Sequence, residues 1–275
     1  MPISVSLLTD EVSPVLAEGL RMAAEEGLGK VDVRSIRGIN FMSLDEADQR
    51  AAAKEIRDAG LAVGTLATPL LKWPAPGQSA INMGDQFGFD TRGRSHDRLY
   101  EDAFRCAEIL GARDLRVFSL IKYDGFTLSD LDRDYEMLLR LAERHDMRLH
   151  VENEAVCNVH TVADLITVAE RWRHPRLHAL LDLPNAWRRE RPTEAELETI
   201  APFVSQVHLK DWSEAQNTRV AVGEGDIPFR MLLAPICAEA RRRDITFVVE
   251  THMPLEAAAA TRRSIRAVKA LASRF

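Results

Sequence analysis

The amino-acid sequence predicts an α/β protein, a single (β/α)8 TIM barrel over residues 1–275. Three observations predict it. Eight short aliphatic runs recur at intervals of roughly 30 residues, the strand–helix repeat that a barrel requires. Amphipathic helical stripes lie between them. The first strand–helix turn lacks the GxGxxG signature of a dinucleotide-binding open sheet, the main alternative architecture.

The strand candidates follow in order. ISVSLLT (3–9), VDVRSI (31–36) and AVGTLA (62–67) form the first three. DLRVFSL (114–120), RLHVENE (148–154) and LHALLDL (177–183) form the next three. SQVHLKD (205–211) and TFVVETH (246–252) complete the set. Helical stripes run through Leu99, Ala103, Cys106 and Leu110, through Leu131, Tyr135, Leu138 and Ala142, and through Ile265, Val268, Leu271 and Phe275. Short turns precede the strands, as in AGL (59–61) and RHDM (144–147). Thr127 and Thr161 read as helix starts, and Pro254 as the first residue of the last helix. The longest irregular stretch, 68–96, follows the third strand. Loops this long commonly serve as lids or interfaces. Its Trp73, Phe87 and Phe89 are expected to cover an apolar substrate or a partner subunit.

Composition narrows the function. The chain is 46% hydrophobic and 28% charged, with net charge −6. This is ordinary for a globular enzyme and argues against sequence-independent nucleic-acid binding, which favours a basic face. No apolar run approaches the length of a membrane span, and MPISVSLLTDEV lacks the basic start of a signal peptide. Three scattered cysteines form no CxxC pair and fit a reducing compartment. A cytoplasmic location is expected, with homo-oligomer formation left open.

The chemistry concentrates at the ends of the late strands, where barrels carry their active sites. Strand five ends in Glu152 and Glu154, strand six in Asp182 followed by Asn185, strand seven in His208 and Lys210, and strand eight in Glu250 and His252. An ionised carboxylate buried alone is costly, so ligand-type groups on four consecutive strands point to a shared cation. Glu152, Asp182, His208 and Glu250 make an oxygen-rich donor set, favouring Mn²⁺, with Mg²⁺, Co²⁺ or Zn²⁺ as alternatives. The plainer reading is a buried ion-pair network with Lys210, Arg34 and Arg148. Glu154, Asn185, Arg34 and Glu11, with Asp10 beside it, are candidates for substrate contact, and His252 reads as exposed at the rim.

V-E-N-E, L-D-L-P-N, V-H-L-K-D and V-V-E-T, in that order, resemble the sugar phosphate isomerase/epimerase family of xylose-isomerase-like TIM barrels. T-D-E-V-S (9–13), V-D-V-R-S-I-R-G (31–38) and V-G-E-G-D-I (222–227) are similar to it as well. The resemblance implies a metal held by Glu152, Asp182, His208 and Glu250, with Glu152 and Glu250 also acting as acid and base on a carbohydrate. Lys210 would stabilise the developing oxyanion. Position 185 is Asn where several ketose epimerases carry His, and their substrate arginine has no clear counterpart except Arg219. The expected function is a metal-dependent sugar isomerase or epimerase, acting by proton abstraction next to a carbonyl. A dehydratase or lyase on a keto-sugar or keto-glycoside is the alternative. An apurinic-site endonuclease and a non-catalytic sugar-binding barrel are weaker rivals.

Overall fold

A computed structural model describes residues 3–275. Eight parallel strands form the barrel: β1 (Ser4–Leu7), β2 (Lys30–Val33), β3 (Ala62–Leu70), β4 (Asp114–Val117), β5 (Arg148–Glu152), β6 (Leu177–Asp182), β7 (Val204–Leu209) and β8 (Thr246–Val249). From β2 to β8 each pairs with its sequence neighbour, and β8 pairs with β1. The circle closes between β1 and β2 through one parallel bridge, Leu8 to Asp32. Nine helices appear among the described residues: α1 (Leu16–Glu25), α2 (Glu46–Asp58), α3 (His96–Leu110), α4 (Asp132–Arg144), α5 (Val162–Trp172), α6 (Leu183–Arg189), α7 (Glu194–Ile200), α8 (Phe229–Glu239) and α9 (Ala257–Ala272).

Local chemistry sets the boundaries. Asp45 accepts from the Asp48 N–H at 2.8 Å to start α2, and Thr161 accepts from the Asp164 N–H at 2.9 Å to start α5. Gly111 ends α3 at φ 80°, a left-handed geometry that glycine adopts without a Cβ penalty. Thr127 starts a 3-10 turn, Leu128–Leu131, that leads into α4. Pro254 does not begin α9. The Glu256 N–H donates to the Met253 carbonyl at 3.1 Å, closing a turn first, and the helix starts at Ala257. Most strands also stop short of their predicted ends. The second ends at Val33 because Ser35–Ile36 pairs antiparallel with Ile39–Asn40. The fourth and eighth lose their ladder at Val117 and Val249, where the chain turns toward the barrel mouth.

The main core lies between strands and helices, with Leu138, Ile265 and Val268 among its buried members. Phe275 lies outside that core, 43% exposed beyond the end of α9. The barrel lumen is different. Near the N-terminal ends of the strands, Asp32 accepts from Ser6 Oγ at 2.9 Å and the Thr65 N–H at 3.1 Å, and also from the Gln206 amide. Gln206 Oε1 in turn contacts Thr65 Oγ1 and His150 Nδ1. A small apolar plug of Leu8, Ala67 and Val248 forms a cluster separate from the main core. Strand alternation then carries the lumen face from Asp32 to Arg34, His150 to Glu152, Gln206 to His208, and Val248 to Glu250.

One fold-level consequence concerns acid. Burial depresses the pKa of His178 to about 3, with His150 and Arg148 adding to the effect, and its Nε2 has no hydrogen-bond partner. The folded pKa lies below the unfolded value, so the unfolded chain takes up this proton first as pH falls. The contribution is fully present above the unfolded pKa of about 6.5 and is lost as pH falls toward the folded value. Denaturant unfolding at pH 7 and pH 5 should show the parent losing on the order of 1–2 kcal/mol more than His178→Asn. Equal losses would mean that His178 does not stay neutral in the fold.

Candidate metal centre

The four strand-end groups converge. Glu152 ends β5, Asp182 ends β6, His208 lies in β7 and Glu250 follows β8. One ligand atom from each lies within 4.8 Å of the others, and all four residues are buried. His208 Nδ1 stands between the two glutamates, 3.4 Å from Glu152 Oε1 and 3.2 Å from Glu250 Oε2. Asn153 braces the frame: its Nδ2 donates to the Asp182 carbonyl at 2.9 Å, and its Oδ1 accepts from the Asp182 N–H at 2.7 Å. Asp182 also caps α6, accepting from the Asn185 N–H at 2.8 Å.

Basic groups surround the acids. Lys210 Nζ bonds Asp182 Oδ2 and lies 3.1 Å from Glu250 Oε2. Arg34 reaches Glu250 at 2.7 Å, Asp10 at 2.9 Å and Glu11. Arg116 Nη1 lies 3.1 Å from Glu152 Oε2. The ion-pair reading therefore holds for Lys210 and Arg34. It fails for Arg148, which pairs with Asp114 at 2.6 Å near the opposite end of the barrel because it opens β5 rather than closing it.

These contacts fix the protonation states. Burial opposes ionisation of Glu152, but Arg116 and His208 outweigh it and hold the carboxyl at about 2. Burial likewise opposes ionisation of Glu250, yet Lys210, His252 and His208 keep it well below the usual range. Burial lifts Asp182 to about 6 despite Lys210. It would lower His208, but Glu250 and Glu152 hold the imidazolium up to about 10. Without an ion, His208 carries the positive charge between the two glutamates.

Two buried atoms in this cluster, His208 Nδ1 and Glu152 Oε2, have ion-pair contacts, to Glu250 at 3.2 Å and to Arg116 at 3.1 Å, without the alignment of a hydrogen bond. Buried polar atoms rarely go unpaired. The donor set of three carboxylates and one imidazole, with one ligand atom from each within 4.8 Å of the others, fits a divalent cation. His208 must give up its proton to bind one. Glu11, Glu250 and His252 form a second close group. There Arg34 already supplies the positive charge, bonding both Glu11 and Glu250.

A cavity of about 560 Å³ opens above the cluster. Glu152, Lys210, Glu250, Arg34, Glu11, Glu154 and Asn185 all border it. Glu11 has little capacity left for a ligand, since it also accepts from the His252 N–H at 2.6 Å and from Thr251 Oγ1 at 3.2 Å. Glu154 lies 3.5 Å from Lys72. His252 is not free at the rim. Its φ of 51° turns it back, and its ring nitrogen lies 3.1 Å from Glu250.

The long loop after β3 folds across the mouth. Phe87 lies 3.5 Å above the Arg34 guanidinium and 6.2 Å from the His252 ring. Trp73 does not face a substrate or a partner. It is buried in a stack with His96, Tyr100 and Phe89, which fixes the loop to α3. Sequence reasoning missed Arg116, Asn153, Lys72 and Arg188. Arg116 had a signal: Asp114 and Arg116 alternate with apolar residues in D-L-R-V, so both face the lumen. Lys72 and Arg188 lie outside the strands and reach the cavity only through loop and helix packing.

The family model described as xylose isomerase-like TIM barrel matches residues 20–271. No curated protein matches the chain by sequence. Among solved structures, a xylose isomerase-like TIM barrel/4-hydroxyphenylpyruvate dioxygenase fusion protein superposes with TM-score 0.74 at 18% identity. That match covers 98% of this chain, which spans only 43% of the fusion protein. The probable 3-DHS dehydratase AsbF of Bacillus anthracis gives TM-score 0.71 at 16% identity, covering 97% of this chain and 99% of that one. An L-ribulose 3-epimerase gives 0.70 at 16%, covering 99% and 95%. At these identities the likeness shows the fold.

Proposed function

The chain belongs to the xylose isomerase-like TIM barrel family, and from that premise we propose that it is a divalent-metal-dependent sugar isomerase or epimerase. It would remove a proton next to a carbonyl and pass through an enediolate. The observation that carries this reading is the pair of buried glutamates, one ending β5 and one following β8, that stand on either side of His208 Nδ1 and both border the cavity.

Glu152, Asp182, His208 and Glu250 would hold the ion, Mn²⁺ by preference. When bound, it would supply Lewis-acid polarisation of the substrate carbonyl. The protein groups do the rest. Glu152 and Glu250 come from different strands, as removal from one face and return to the other requires: one, as carboxylate, would take the substrate proton, and the other would return one that it has first taken up from solvent. Lys210 borders the cavity with its ammonium beside Asp182 and Glu250, within the region where negative charge develops. Phe87 and Arg34 narrow the mouth and limit water. The three cysteines are free and buried, in keeping with a cytoplasmic setting.

The same enediolate can expel a β-leaving group, so a dehydratase or lyase on a keto-sugar or keto-glycoside is the second reading. The structural likeness to a probable dehydratase keeps it in view. Apurinic-site endonuclease chemistry needs further metal ligands, and Arg34 stands where a second ion would meet Glu11 and Glu250. Deuterium uptake from D₂O into a panel of keto-sugars, with Mn²⁺ and with EDTA, tests the proposal. Metal-dependent uptake is expected, and product masses then separate epimerase from lyase. No uptake across the panel would overturn carbon-acid chemistry.

A further inference from the structure

We infer that Arg188 and Arg219 form an anion subsite at the mouth of the cavity, so that the substrate is an acidic carbohydrate, carrying a carboxylate or a phosphate monoester away from the reacting carbon. This inference rests on the proposed carbohydrate chemistry of the centre.

Most basic groups bordering this cavity have an acid partner. Arg34 holds three carboxylates, Arg116 faces Glu152, Lys210 bonds Asp182, and Lys72 lies beside Glu154. Arg188 and Arg219 also border it, yet the side chain of neither makes an ion pair or hydrogen bond among the described residues. Both also line an adjoining cavity of about 730 Å³, so they stand where the two spaces meet. The acids of that second space do not neutralise them: Glu224 and Glu256 both pair with Arg263.

The pair is held by structure rather than by salt bridges. Arg188 comes from α6, directly after the Asp182 turn, and its guanidinium lies 3.6 Å above the Trp212 ring. Trp212 and Arg219 face each other across a short antiparallel pair, Asp211–Ser213 with Thr218–Val220. The ring therefore supports one arginine and neighbours the other. Burial and the charges of Arg219 and Arg189 press the Arg188 pKa below its ordinary value. Like charges brought together without an acid favour an incoming anion. Two guanidiniums suit the planar oxygens of a carboxylate or the three of a phosphate, whereas a neutral sugar could accept their hydrogen bonds but would leave their charge unbalanced.

The test separates binding from turnover. Inorganic phosphate, D-fructose, D-fructose 6-phosphate and D-fructuronate are titrated by ligand-observed NMR into the EDTA-treated chain, parent and Arg188→Gln/Arg219→Gln. Phosphate and both anionic ketoses should bind the parent at least about tenfold more tightly than D-fructose, and the double variant should lose that margin. The stronger of the two anionic ketoses identifies phosphate or carboxylate as the group taken. Equal affinities in the parent, no binding of any anion, or a margin kept by the variant would overturn the subsite. Circular dichroism of the variant guards against misfolding, and each single substitution serves as the second variant. Failure of deuterium uptake with every sugar would count against the catalytic proposal and leave this binding result standing.

Discussion

Alanine at position 208 is expected to release the metal. His208 is the only nitrogen donor of the four-residue cluster, and its Nδ1 lies 3.4 Å from Glu152 and 3.2 Å from Glu250. Loss of an outer-shell partner alone typically costs about 10–100-fold in metal affinity, and loss of a ligand should cost at least that. Two readouts follow. Mn²⁺ content after dialysis should fall in His208→Ala. The Mn²⁺-dependent gain in stability, about 4 kcal/mol for the parent when the ion is at a thousandfold its Kd and read as a rise in Tm, should shrink accordingly. Lys210→Ala is the internal contrast. It removes a cation that competes for Asp182 and Glu250, so metal content should persist while turnover falls. Full occupancy and activity in His208→Ala would falsify the ligand assignment.

The second large effect is expected at Glu152. Glutamine there keeps the shape and one oxygen but cannot accept a proton. Loss of a positioned acid–base group typically costs about 10²–10⁴ in rate. Because Glu152 is also a proposed ligand, uptake is compared at Mn²⁺ concentrations that saturate each protein, where Glu152→Gln should still be slower by about a thousandfold, within that range. Glu250→Gln should show a loss of similar size if protons move on both faces. If only one of the two variants is impaired, a single residue handles the proton and an isomerase or lyase is favoured over an epimerase. Uptake within tenfold of the parent in both would remove the glutamates from the proton transfer.

Much of the centre was legible because strand alternation is a strict period of two. Once V-H-L-K is read as a strand, His208 and Lys210 must share a face, and the acids of the neighbouring strands fall at one height. The same rule reaches Arg116, though a lone arginine in a four-residue strand gives no hint of its partner. Asn153 was hidden for the opposite reason. It points away from the Glu152 face, and its value lies in two bonds to the backbone of Asp182 on the next strand. His252 misleads by its position after the ladder: a single left-handed residue, φ 51°, turns an apparent rim group back onto Glu250.

Periodicity and burial cost are local properties of a chain, so the barrel, its eight strands and the four groups at their ends follow from the order of the amino acids. Which cations meet which acids was set by the packing of distant segments. It put Arg34 on Glu250 and Arg148 on Asp114, laid Phe87 over the mouth, and left Arg188 and Arg219 without an acid. Ion pairing depends on distance between residues far apart in sequence, and the strand patterns carry no record of where helices and loops return. The substrate-facing rim is built from those returning segments, so the floor of the site could be read from the chain and its rim could not.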